Sequence, residues 1–162
     1  MSKPSKGLSG ISRITLRAIL FALGVICISI ATSILLFGAA FTAGGGARAF
    51  TSLTGLGNGD SPPWLPTMDN ELRFYAALFL AYGILLWRAG ARIEARLSQI
   101  PWLAGVFFLG GVGRALSWIA LGAPHPFFLF LMAGELILPP VIMALWLACR
   151  SSVEQGRAEL VQ

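Results

Sequence analysis

Two ionisable side chains sit where ionisable side chains are costly. Arg114 lies well inside an apolar run, Trp102 to Gly122, and Glu135 lies equally deep in the next, Phe127 to Ala148. Each is about eight residues from the turn Gly122-Ala-Pro-His-Pro126. At a rise of about 1.5 Å per residue, both fall some 12 Å below the same membrane surface. A charge near a bilayer centre costs at least about 2.5 kcal/mol, so it needs a partner or a purpose. Opposite charges at matched depth on antiparallel helices are expected to pair. A guanidinium so placed can hold an anion or balance the carboxylate, and the carboxylate can carry a proton.

The neighbours of this pair extend the polar centre. On a helical wheel Gly110, Gly113, Arg114 and Ser117 share one face, with Gly111 at its margin. Small residues admit a neighbouring helix, so this face is expected to point into the bundle. Pro139 and Pro140 cannot donate backbone hydrogen bonds, which frees the carbonyls of Glu135 and Leu136 and predicts a kink. Arg114 is then expected to reach both the carboxylate and the carbonyl of Glu135. The plainer account is a packing seam with one neutralising ion pair.

A second polar stretch reads Asp69-Asn70-Glu71-Leu72-Arg73-Phe74-Tyr75. Asp69 has the type and place of an N-cap, and acids in a first turn complement the helix dipole. Glu71, Tyr75, Leu78 and Tyr82 also follow one face. Arg73 points away from that face and is expected to snorkel to the outer surface. In a compact bundle, Glu71, Arg73, Arg114 and Glu135 would form a charge-balanced set, with His125 above it and Asn70 at its edge. A lone turn histidine is otherwise simply solvated.

The elements that position these residues follow from composition. Of 162 residues 56% are hydrophobic and only 12% charged, with a mean hydropathy of +0.77. Soluble domains run near 25% charged, so this is a membrane composition. One helical bundle takes up nearly the whole chain. The net charge of +5 sits at the ends of apolar runs rather than in a basic patch interleaved with aromatics, which argues against nucleic acid. Cys27 and Cys149 are too far apart along their runs to bridge, and one histidine without ligand spacing argues against a metal.

Four runs are long enough to span: about 18–41, 70–87, 102–121 and 127–148. Such runs must close their backbone bonds as helices, which predicts an all-α, four-helix integral membrane bundle. Residues 1–17 form a basic N-terminus and 149–162 a tail. Lys3, Lys6, Arg13 and Arg17 precede the first run, Arg88, Arg92 and Arg96 follow the second, and Arg150 and Arg157 follow the fourth. The positive-inside rule places both termini in the cytoplasm. A cleaved signal peptide is the competitor, but its apolar core is normally about 7–15 residues, shorter than this run. Between the first two spans, Thr42 to Met68 reads as a long outer loop. Its Gly44-Gly-Gly46 run is expected to break regular structure, Ala47–Thr54 to form a short interfacial helix, and Pro62-Pro-Trp-Leu-Pro66 to be extended, with Trp64 as an anchor.

Asn70-Glu-Leu-Arg-Phe-Tyr75, Gly83, Gly113-Arg114, Ser117, Gly122-Ala-Pro-His-Pro126 and Glu135 together resemble a bacterial family known as domain of unknown function 4345. Ala77 and Ala81 stand where similar proteins are expected to carry glycine. The resemblance implies a four-helix protein of the bacterial inner membrane and brings no activity with it. Two functional readings remain. One is a structural or accessory membrane subunit, with a protein partner or a second copy and no cofactor. The other is binding or transport of a small anion or proton at the polar centre, carried by an oligomer. Neither a nucleophile–base pair nor a phosphate loop can be assembled, so an enzyme is not expected.

Overall fold

The computed structural model describes residues 6–57 and 66–159, with side chains from Gly10 to Ser151 outside that gap. The stiff segment Pro62–Leu65, with Trp64, lies outside the described residues. Helices α1 (Lys6–Thr54), α2 (Pro66–Ala91), α3 (Ile93–Arg96), α4 (Ile100–Leu121) and α5 (Pro126–Glu159) follow in order, with a 3-10 turn at Leu97–Gln99. No strand occurs among the described residues, and four of the helices are long and apolar enough to cross a membrane.

The first helix departs from expectation. A straight helix of 49 residues would run some 73 Å, more than twice a bilayer core of about 30 Å. It breaks instead at Gly38, whose φ of 81° and ψ of 171° are not helical. The Gly44–Gly46 run does not break it: the helix passes through to Thr54. A side chain at Gly46 would stand 2.8 Å from the Phe127 ring, so absence of a Cβ here serves close packing on α5. The predicted long outer loop therefore loses residues 42–54 to helix, and the interfacial helix becomes the second limb of α1.

Glycines also set how α1 meets α2. A Cβ on Gly24 would lie 3.0 Å from the backbone nitrogen of Trp87, and one on Gly83 would lie 3.0 Å from the Cys27 side chain. Such contact between backbones is the usual glue of membrane helices, where burial of apolar surface adds little. α2 packs chiefly on α1, α1 on α5 and α5 on α4, while α2 and α4 touch only marginally.

The core is not spread evenly. Leu16, Leu20, Leu23 and Cys27 of α1 meet Leu86 and Ala89 of α2, Ile100, Leu103 and Ala104 of α4, and Ile142 and Cys149 of α5. All lie toward the end that carries the arginines, here the basic end. Indole and phenol bonds tie this end together: Trp146 Nε1 donates to the Leu97 carbonyl and Tyr82 Oη to the Leu103 carbonyl, each at 2.7 Å. Cys27 and Cys149 are both buried free thiols. The opposite end, where Gly122 to Pro126 turns α4 into α5, is more loosely filled.

Candidate functional site

Arg114 and Glu135 meet. The Arg114 Nε donates to Glu135 Oε2 at 2.7 Å, joining α4 to α5. The carboxylate side chain is only 13% exposed and the guanidinium side chain 40%. Equal distance from one turn on antiparallel helices produced this pairing, as their spacing implied. The expected second bond, to the Glu135 carbonyl, is not made. α5 passes through Pro139 and Pro140 as one helix. Gly111, not Gly110 or Gly113, is the packing glycine: its Cβ would lie 2.9 Å from Leu136 and 3.0 Å from the Glu135 side chain. Gly113 and Ser117 are exposed, so the face expected to point inward is partly open.

The four-charge set does not form. Glu71 is exposed on α2, as are Asn70 and Tyr75, while Arg73 pairs with Asp69. Nor does Arg73 snorkel outward. Its Nε donates to Asp69 Oδ2 at 2.8 Å and its Nη1 to the Leu35 carbonyl; Asp69 Oδ1 accepts the Ala39 N–H at 2.9 Å. In an unbroken helix the Ala39 N–H would bond the Leu35 carbonyl. The break at Gly38 parts these two groups, and the Asp69–Arg73 pair takes up one with each side chain. An ion pair thus replaces a missing rung of α1. Asp69 is not the N-cap of α2, which starts at Pro66; it lies in the first turn and reaches across to α1. Thr42 completes the splint, donating to the Gly38 carbonyl at 3.1 Å, with the Ser33 hydroxyl 2.7 Å from its oxygen.

Beyond the break, the second limb of α1 reaches the α4–α5 turn. His125 there is half-buried rather than solvated. The Phe127 N–H donates to its Nδ1 at 3.2 Å, which makes Nδ1 the acceptor and leaves the proton on Nε2. Nε2 then donates to Thr51 Oγ1 at 3.0 Å, and Thr51 donates to the Leu56 carbonyl at 3.1 Å. With Pro126 as the first helical residue, His125 caps α5 and tethers α1 at once. Its replacement by alanine is expected to cost about 1–2 kcal/mol, the usual worth of a cap. It should also speed amide exchange at residues 50–57; exchange unchanged there by mass spectrometry would refute the tether.

Tyr82 belongs to the basic end, stacked between Phe79 and Phe107 at 6.2 and 6.4 Å, and is not part of the polar centre. Gly38 and Thr51 belong to the splint and tether contacts although neither stands out by residue type or spacing. The available signal was the Asp69/Arg73 spacing of four residues beside a glycine in the preceding span. A groove of about 450 Å³ between α4 and α5 is lined by Ala115, Trp118, Ile119, Met132 and Leu136, all apolar. No group of three metal-ligating side chains occurs among the described residues.

Apolar spanning helices with paired charges between them define a multi-pass membrane protein. Residues 15–147, most of the chain, match the family described as Domain of unknown function (DUF4345), and the chain belongs to that family. No curated protein and no solved structure matches it.

Proposed function

We propose that the protein is a structural or accessory subunit of the bacterial cytoplasmic membrane, with both termini cytoplasmic and the turn end outside. The observation that carries this reading is the splint at Gly38. There the charges Asp69 and Arg73 bond backbone groups of α1 and each other, as internal fasteners rather than as a pathway. Buried ionic groups used for register are a known alternative to activity. Arg114 and Glu135 join α4 to α5 by one ion pair between side chains. The distribution of arginines supports the orientation.

The test is extraction of the tagged full chain from its native membrane in a mild detergent, with cross-linking beforehand. A protein partner at near 1:1 stoichiometry is expected. Recovery of the chain only with itself, across several detergents, would refute the accessory role. Cysteine accessibility checks the orientation: Ala123→Cys, in the exposed turn, should label from outside intact cells, and labelling only after lysis would reverse it.

A further inference from the structure

The stripe through Tyr82 on α2 and the stripe through Phe107 on α4 meet at the basic end and are left open toward the turn end. Tyr82 and Phe107 stack, and Tyr82 bonds the Leu103 carbonyl. Seven residues toward the turn end from each contact residue lie Tyr75 on α2 and Arg114 on α4. A seven-residue step is about 10 Å along a helix and only about 20° off alignment, so both remain on the facing stripes at matched depth. One turn further stand Glu71 and Ser117, again at one level.

These upper residues are not packed together. Tyr75 and Leu78 are each 58% exposed, and Ser117 is exposed. Nothing lies within 4 Å of where a Cβ on Gly113 would stand. Above the Tyr82–Phe107 contact the two facing stripes are thus uncovered, and with α2 and α4 in only marginal contact they border a cleft open toward the turn end.

The cleft wall is short of acceptors. Arg114 uses its Nε on Glu135, and the four N–H groups of its terminal nitrogens have no partner among the described residues. The hydroxyls of Tyr75 and Ser117 have none either. Lipid tails cannot accept these bonds, and donors left unmade in hydrocarbon are costly. A planar guanidinium edge with two hydroxyls at hand matches an oxyanion. The flanking Leu78 and Phe107 suit an apolar chain leaving toward the lipid.

We infer that the cleft between the outer halves of α2 and α4 binds an oxyanion headgroup, phosphate or carboxylate, of an amphiphile whose tail lies in the bilayer. Arg114 holds the oxyanion, and Ser117 and Tyr75 donate to it. This goes beyond the accessory role and stands without it.

The test uses the full chain in a neutral maltoside detergent, titrated with dodecyl phosphate and separately with inorganic phosphate, and read by thermal unfolding and equilibrium binding. Dodecyl phosphate should bind and raise Tm. Tyr75→Phe and Ser117→Ala should each weaken it by about tenfold, the worth of a hydrogen bond to a charged group, and leave the Tm of the unliganded protein in place. Both variants keep the Arg114–Glu135 pair, so a loss of binding is separable from a loss of fold. Equal binding of inorganic phosphate would uphold the oxyanion site and assign its ligand to the aqueous phase. Absence of binding by either probe, or binding undiminished in both variants, would overturn the site.

Discussion

Gly38→Ala is expected to destabilise the protein by about 3 kcal/mol or more, one of the largest effects of any single methyl group in the chain. At φ 81° and ψ 171° the backbone occupies a region essentially restricted to glycine, where a residue with a Cβ is strained by about 1–3 kcal/mol. The new Cβ would also stand 2.8 Å from Asp69 Oδ1 and 2.9 Å from a terminal nitrogen of Arg73. Those atoms must move, and they are the ones that hold the Ala39 N–H and the Leu35 carbonyl. Hydrogen bonds to charged groups contribute about 1.5–3 kcal/mol each, so their disturbance adds to the strain. The control is Gly105→Ala, in a helical residue with nothing within 4 Å of the added atom. It should be neutral or slightly stabilising. The measurement is reversible unfolding in detergent for the two variants beside the parent protein. If Gly38→Ala loses less than about 0.5 kcal/mol, α1 is not broken at this residue in the folded protein.

The second limb of α1 explains why this break was harder to read than the spans. Span limits follow from the length of apolar runs, and an apolar run is a local property. The pairing of Arg114 with Glu135 was legible for a similar reason: a tight turn makes α4 and α5 antiparallel, and equal distance from that turn means equal depth. Gly38 offers no local mark. A glycine within an apolar run looks like any packing glycine, and the two side chains that stabilise its unusual backbone are 31 and 35 residues away, at Asp69 and Arg73. The opposite error has the same root. Gly44-Gly-Gly46 looks like a breaker by composition, yet helix persists because the missing side chains let Phe127 approach. Arg73 was expected to snorkel because its target, the Leu35 carbonyl, is accepting only once the helix is broken. Each miss concerns a backbone group whose availability depends on a distant part of the chain.

The double-mutant cycle at Arg114 and Glu135 should show both large single effects and strong coupling, with an asymmetry set by exposure. Arg114→Gln leaves a carboxylate that is 13% exposed without its cation. Breaking a buried pair in this way costs about 3–5 kcal/mol while the remaining group stays charged. The carboxylate is not wholly enclosed, so the low end of that range, about 3 kcal/mol, is the expected loss. Glu135→Gln leaves the guanidinium instead, and that side chain is 40% exposed on a long stem that can turn toward the nearer surface. About 1–2 kcal/mol is expected there. Gln at both positions removes both charges and still permits an amide–amide hydrogen bond, so the double variant should lie within about 1 kcal/mol of the parent protein. Unfolding of all four proteins under one set of conditions gives the coupling energy, expected to exceed about 1.5 kcal/mol. Additive losses would mean that the two charges do not depend on each other for stability, and the register role assigned to them would fall. The oxyanion site would survive that outcome, because it rests on the terminal nitrogens of Arg114 that Glu135 does not occupy.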